Sequence, residues 1–174
     1  DVIARELELY SQTLARKPRI VVGSKLDSEV PGNSEKLRAY AQARGYAYIA
    51  LTDHSRRVAM AHGLDSARLS RQIREIDKLN AKFKGLTILK GTEVDILKDG
   101  RLDFADDVLA QLDVVIASVH QSFNLSESEN TRRLIGAAQN PCVHILGHLT
   151  GRLLLARDAY QVNHHAVIDA CAET

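Results

Sequence analysis

The stretch that decides the fold is Asp113-Val-Val-Ile-Ala-Ser-Val-His120, an apolar run that ends in a histidine. Three other segments share its form, each a short apolar run that ends at or beside a residue able to bind a metal: Tyr46-Ala-Tyr-Ile-Ala-Leu-Thr-Asp-His54, Leu86-Thr-Ile-Leu-Lys-Gly-Thr-Glu93 and Cys142-Val-His-Ile-Leu-Gly-His148. Each gap between their last residues has room for one helix and two loops. A parallel β/α barrel places successive strand ends on one face, so the spacing predicts that these last residues converge.

The remaining pattern predicts alternating helices and strands. Strands are predicted at 19–22, 46–52, 86–90, 113–119 and 142–146. Helices are predicted at 2–15, 36–43, 66–84, 106–112, 127–139 and 166–172. Ser126 with Glu129 three positions later is a capping-box pattern that opens one of them. Such alternation predicts a parallel α/β sheet with right-handed crossovers. Residues 1–19 are expected to form a helix or linker that leads into one domain at 20–174.

The amino-acid composition says little about what the protein binds. The 174 residues are 45% hydrophobic and 26% charged, and the net charge of +1 gives no reason to expect a polyanion partner for the chain as a whole. No apolar run reaches the roughly 18 residues of a membrane span, so we expect a cytoplasmic protein without a membrane partner. Cys142 and Cys171 are predicted to be buried free thiols. The chain starts at Asp1 and stops within a helical pattern at Thr174, so we expect further sequence at both ends.

Histidine and glutamate at the ends of the predicted strands suggest a metal site. Imidazole nitrogen and carboxylate oxygen are ligands of Zn²⁺ and related divalent ions, and two histidines with one glutamate leave a coordination position for water or substrate. We therefore predict Glu93, His120 and His148 as metal ligands and His54 as a further ligand.

The two aspartates near these ligands leave alternatives open. Asp53 either orients a neighbouring imidazole or caps its loop. Asp95 either shares a strand face with Glu93 or caps its loop. His144 alternates with apolar residues and is predicted to lie in the core or line a barrel. The pair His164-His165 is predicted to be exposed. His62 is equally consistent with a functional role and with a purely structural one.

Four arginines flank the same predicted face: Arg56, Arg57, Arg152 and Arg157. Arginine binds phosphate through two parallel hydrogen bonds, although a single arginine is more often a solvated surface charge. Arg152 is the strongest candidate because it closely follows the segment 147–151.

Together these segments resemble the PHP (polymerase and histidinol phosphatase) domain, and are most similar to its form in bacterial and archaeal family X DNA polymerases. The motifs that carry the resemblance are Thr52-Asp53-His54-Ser55, Gly91-Thr-Glu93-Val-Asp-Ile96, Ser118-Val-His120 with Phe123-Asn124-Leu125, and Gly147-His148 with Thr150-Gly-Arg152-Leu-Leu154. The resemblance covers about residues 20–174. It implies a distorted (β/α)7 TIM-like barrel, here incomplete at its C-terminus, with up to three manganese or zinc ions.

The resemblance also implies a function. It implies 3′–5′ exonuclease and end processing on gapped or recessed DNA repair intermediates, with a covalently linked polymerase domain upstream. By the resemblance, Glu93 would bridge two metals, His120 and His148 would complete one site and His54 would serve another, with Glu93 and His120 as catalytic residues. From their position in the sequence, Arg152, Arg56 and Arg57 are predicted to bind DNA phosphates. The histidine motif that opens the family's pattern is absent from residues 22–29. A catalytically eroded module with a structural or DNA-positioning role is therefore an alternative, and a free-standing small-molecule phosphatase such as a histidinol phosphatase is another.

Overall fold

A five-stranded parallel sheet organises the part of the chain that the structure describes. The structure is a computed structural model that describes residues 12, 22–23, 39–82 and 84–174. The strands are β1 (Val22–Gly23), β2 (Tyr48–His54), β3 (Thr87–Asp95), β4 (Val114–Ser118) and β5 (Ile145–Gly147). They lie in the order β1-β2-β3-β4-β5, and every neighbouring pair is parallel. The predicted α/β class is confirmed, whereas closure into a barrel stays a prediction.

Helices connect the strands, as the alternation predicts. They are α1 (Ser66–Lys82), α2 (Asp106–Leu109), α3 (Glu127–Ala138) and α4 (His164–Ala172), and residues 39–43 are helical as well. The predicted capping box opens α3: the backbone N–H of Glu129 donates to Ser126 Oγ at 3.3 Å, and that of Ser126 donates to Glu129 Oε2 at 2.9 Å. In the described residues no helix has the length and apolar character needed to cross a membrane.

The core lies between the sheet and these helices. One cluster of buried side chains includes Val94 and Val115 of the sheet and Leu134 of α3. A second cluster joins Ile49 of β2 to Ile76 of α1. Burial on both sheet faces explains why the strands appear in the sequence as nearly continuous apolar runs.

The largest differences from the predicted strand bounds are in β3 and β5, while β2 begins and ends two residues later than predicted. β3 continues beyond residue 90 to Asp95, because its polar end still pairs with β4 through Thr92↔Val115 and Asp95↔Ser118. β5 starts later than predicted because a turn occupies its expected beginning. In that turn the N–H of Cys142 donates to Asn140 Oδ1 at 2.8 Å.

Two predictions of burial were wrong. Cys171 is exposed on α4, while Cys142 is partly buried; both are free thiols. His144 is exposed, and its Nδ1 accepts a hydrogen bond from the N–H of Val115 at 3.2 Å. The pair His164-His165 is exposed as predicted. The predicted helix at 2–15 lies outside the described residues apart from Gln12. The boundary at residue 19, the segment 24–29, residues 19–21 of the first predicted strand and residues 36–38 of the second predicted helix also lie outside them.

Gly91 allows three strands to pack closely. A Cβ at this position would lie 2.8 Å from the carbonyl oxygen of Leu51 and 3.0 Å from that of Val114. We expect Gly91→Ala to lower the free energy of unfolding by about 1–3 kcal/mol, because backbone atoms cannot move away cheaply. Urea unfolding would measure the change. Gly136→Ala on α3, where a Cβ meets nothing within 4 Å, is the matched control and should be neutral or stabilising. Equal stability of the parent and Gly91→Ala would contradict the prediction.

Candidate metal centre and adjoining cleft

The sheet brings the ends of four strands to one edge. β2 ends at His54, which pairs in register with Glu93 on β3. His120 follows β4 by two residues, and His148 directly follows β5, whose last residue pairs with Ser118. All pairs are parallel, so these side chains lie at the carboxyl edge of the sheet, where α/β proteins bind ligands.

Glu93 lies at the centre of a group that we call the His/Glu cluster: His54, Glu93, His120 and His148. Its Oε1 lies 3.1 Å from Nε2 of His120 and 2.9 Å from Nε2 of His148. Its Oε2 lies 3.4 Å from Nε2 of His54. The structure therefore brings the predicted metal-ligating residues together.

The charges of the cluster are strongly coupled. Burial raises the pKa of Glu93, but the hydrogen bond from His120 and the charge of His54 outweigh this effect and lower the pKa to about 2. Burial lowers the pKa of His120, but its contacts with Asp95 and Glu93 outweigh this effect and raise the pKa to about 9. The carboxylates therefore favour a positive charge at this position, which is also what a cation site requires.

The donor atoms fit a divalent ion. Ligand atoms of His54, Glu93 and His120 all lie within 4.8 Å of one another. Imidazole nitrogen with one carboxylate is a set that Zn²⁺ and other first-row divalent ions accept. A cation would take the place of the proton that His120 shares with the carboxylates, because imidazole binds a metal only in its neutral form. The cluster could hold a metal ion.

Asp95, which the sequence left open, contacts the cluster. It is 1% exposed, and its Oδ1 accepts a hydrogen bond from the N–H of His120 at 3.1 Å and lies 3.4 Å from Nδ1 of the same residue. Gln121 Nε2 donates to its Oδ2 at 3.3 Å. These contacts orient the imidazole so that Nε2 faces Glu93. Asp53 accepts a hydrogen bond from Gln72 Nε2 at 2.6 Å and thereby links β2 to α1.

A cleft of about 540 Å³ adjoins the cluster. His120 and His148 form part of its lining, and apolar side chains form much of the rest: Val58, Met60, Val119, Phe123 and Leu153. The cleft therefore offers both the His/Glu cluster and an apolar wall to one ligand.

Three of the four candidate arginines line this cleft: Arg57, Arg152 and Arg157. Nε of Arg57 lies 3.4 Å from Oδ1 of Asp103, and Nε of Arg56 lies 3.9 Å from the same atom. Arg152 is exposed. Positive charge is thus concentrated beside the cluster, although the net charge of the chain is only +1.

Arg157 is held beside the cleft by contacts that the sequence pattern did not predict. Its Nε donates to the carbonyl oxygen of Gly151 at 2.8 Å, and its guanidinium lies 3.7 Å from the ring centroid of Phe123. The spacing of Phe123 and Arg157 in the sequence carries no signal of this contact, because a loop, α3 and β5 separate them.

Comparison with known proteins finds similarity to an exonuclease and to probable phosphatases. The chain is 42% identical over 175 aligned residues to the DNA polymerase/3′-5′ exonuclease PolX of Bacillus subtilis, an alignment that covers 98% of this chain and 31% of that protein. It is 31% identical over 144 residues to a probable phosphatase of Caldicellulosiruptor bescii, covering 81% of this chain and 55% of that protein.

A shorter alignment matches a further probable phosphatase. The chain is 46% identical over 71 residues to a probable phosphatase of Caldanaerobacter subterraneus, covering 38% of this chain and 28% of that protein. The chain therefore spans about half or less of the length of these relatives. No protein-family model matches the chain.

Proposed function

We propose that the chain is a metal-dependent phosphoesterase of the PHP type, in which residues 20–174 form an incomplete (β/α)7 barrel. The observation that carries this proposal is the contact of the Glu93 carboxylate with three imidazoles beside an arginine-lined cleft. The similarity to PolX along 98% of the chain supports a finer assignment. On this assignment the domain belongs to a family X DNA polymerase and removes nucleotides from 3′ ends of gapped or recessed DNA, with the polymerase domain upstream.

The proposed mechanism gives each group a task. His54, Glu93, His120 and His148 would hold Mn²⁺ or Zn²⁺, and such an ion supplies Lewis-acid polarisation of a phosphoester and a lowered pKa of water. Glu93 supplies negative charge at the centre of the site. Asp95 contacts Nδ1 of His120 and so holds the Nε2 of that imidazole against Glu93.

The cleft would receive the substrate. Arg152, Arg57 and Arg56 would bind phosphate oxygens and stabilise the charge that develops during hydrolysis. Arg57 and Arg152 line the cleft directly, whereas Arg56 lies beside Asp103 and would act at the rim. The apolar wall excludes water from one side of the bound group, which strengthens those charge interactions.

The test is hydrolysis of a 3′-recessed DNA duplex in the presence of Mn²⁺. We expect the parent chain to release nucleotides from the 3′ end and His120→Ala to lose about 100-fold in rate, because a ligand and its share of charge stabilisation are lost. His165→Ala, which changes an exposed histidine of α4, is the matched control and should retain the parent rate. Equal rates for the parent and His120→Ala would rule the proposal out.

The probable phosphatases among the relatives favour a second candidate, a phosphatase of small phosphate esters. The two candidates differ in substrate, not in the site. Turnover of p-nitrophenyl phosphate or histidinol phosphate, with no release of nucleotides from DNA under the same conditions, would favour the second. The opposite pattern would favour the exonuclease.

A further inference from the structure

A row of four stacked side chains runs from the cleft into the core, and we call it the cation–aromatic stack: Arg157, Phe123, Tyr160 and Arg133. The guanidinium of Arg157 lies 3.7 Å from the ring centroid of Phe123. The rings of Phe123 and Tyr160 are stacked with centroids 6.2 Å apart, and the guanidinium of Arg133 lies 5.7 Å from the Tyr160 centroid. Arg157 and Phe123 line the cleft whereas Arg133 is buried, so Arg157 is the end of the stack that faces the cleft.

Gly151 lets the neighbouring loop close against this stack. Its φ is +58°, and a Cβ would lie 2.8 Å from Tyr160 Cε1 and 3.0 Å from Phe123 Cε1. A side chain would therefore push the loop away from both rings. In the observed position the carbonyl oxygen of Gly151 accepts a hydrogen bond from Nε of Arg157 at 2.8 Å.

These contacts fix the guanidinium and leave its outer atoms available. The ring of Phe123 covers one face of the Arg157 guanidinium, and Nε donates to the carbonyl oxygen of Gly151. Within the described part of the chain, Nη1 and Nη2 of Arg157 have neither a hydrogen-bond partner nor a carboxylate in ion-pair contact. Two N–H groups on a planar, prepositioned guanidinium match two oxygens of a phosphate.

The other arginines near the cleft differ in this respect. Arg56 and Arg57 lie near the carboxylate of Asp103, which offsets their charge. Arg152 is exposed and would have to lose side-chain entropy before it could bind. Arg157 has already lost that freedom through its contacts, which reduces the cost of binding.

We propose that Arg157 binds a phosphate group of the substrate in the cleft, and that Phe123 and Gly151 are positioning residues that hold its guanidinium there. The inference rests on the proposed function for the identity of the substrate. It goes beyond that function by assigning phosphate recognition to a residue that the motif pattern ranked below Arg152.

Steady-state kinetics on the 3′-recessed duplex tests the assignment. Arg157→Gln should raise KM about 10- to 100-fold, which corresponds to the loss of a hydrogen-bonded charge pair. Arg157→Lys keeps the charge but loses the planar fork, so its KM should rise nearly as much. Phe123→Leu keeps Arg157 and an apolar neighbour and should raise KM several-fold. Arg74→Gln, an equal change of charge on the exposed face of α1, should leave KM and kcat unchanged.

A binding measurement separates this inference from the proposed function. Inorganic phosphate would be titrated in the presence of a chelator, and the backbone ¹H–¹⁵N shifts of Gly151 and Phe123 followed. The parent should show saturable shifts that are lost in Arg157→Gln and weakened in Phe123→Leu. An inactive parent that still shows this pattern would overturn the enzyme proposal and leave the phosphate site standing.

Other outcomes count against the inference. An active parent whose Arg157→Gln variant has unchanged KM and unchanged phosphate shifts would overturn it. Loss of fold in Arg157→Gln would be seen by circular dichroism, and Arg157→Lys and Phe123→Leu then decide the question. Unchanged KM and phosphate shifts in both of those folded variants would also overturn it.

Discussion

Replacement of Glu93 by glutamine is expected to abolish metal binding and to lower metal-dependent hydrolysis by about 1,000-fold. Glu93 contacts Nε2 of His54, His120 and His148 at 2.9–3.4 Å, so its carboxylate is the negative charge that the imidazoles surround. Glutamine has nearly the same shape but carries no charge, and its amide N–H₂ group donates where a cation or a histidine N–H needs an acceptor. The variant should therefore keep the packing of the site but lose the negative charge that attracts a metal ion.

Thermal unfolding with added Mn²⁺ or Zn²⁺ measures the binding part of this prediction. An ion that binds only the folded chain stabilises it by about 2.7 kcal/mol at 100 times its Kd, so the Tm of the parent should rise with metal concentration. The Tm of Glu93→Gln should not rise. Glu75→Gln, on the exposed face of α1, removes the same charge elsewhere and should behave like the parent. A Glu93→Gln variant that retains a stoichiometric ion and parent activity would contradict the whole assignment of the site.

The positions of the His/Glu cluster could be predicted from sequence because two local signals coincide. Each apolar run marks a buried strand, and a potential ligand stands at the end of each run. Parallel pairing then places those ends at one edge, and in the observed register residues 48–54 pair with 87–93, so that His54 lies opposite Glu93. The capping box at Ser126 was predictable for the same reason, since all its atoms lie within one turn.

The cleft could not be predicted because its contacts are not local. Phe123 reaches Arg157 only after α3 and β5 have packed, and Asp95 reaches His120 only because β3 continues past its apolar part. Alternation within a short apolar run also misled the interpretation of His144, whose ring bonds the neighbouring strand from an exposed position. Motif order ranked Arg152 first, but the choice between arginines depends on what fixes each guanidinium.

The buried end of the cation–aromatic stack gives the second large expected effect. Arg133→Leu should lower the free energy of unfolding by about 3 kcal/mol. Arg133 is 2% exposed, and its guanidinium donates to the carbonyl oxygens of Gln121 and Ser122 at 3.2 Å each and to Asn130 Oδ1 at 2.6 Å. Leucine would fill part of the space but leave these acceptors without their donor. Asn130 is fully buried, so water cannot easily replace the lost bond.

Arg132→Leu is the matched control for this prediction, because Arg132 precedes Arg133 on α3 and is exposed. Urea unfolding of both variants should show a lower midpoint for Arg133→Leu alone, with an unchanged m-value. The same contacts hold the loop at residues 121–122 that directly follows His120, so Arg133→Leu should also weaken metal binding while Arg132→Leu does not. A large loss of stability with unchanged metal affinity would mean that Arg133 stabilises the core but has no effect on the metal site. An unchanged midpoint would mean that the buried guanidinium does not stabilise this loop.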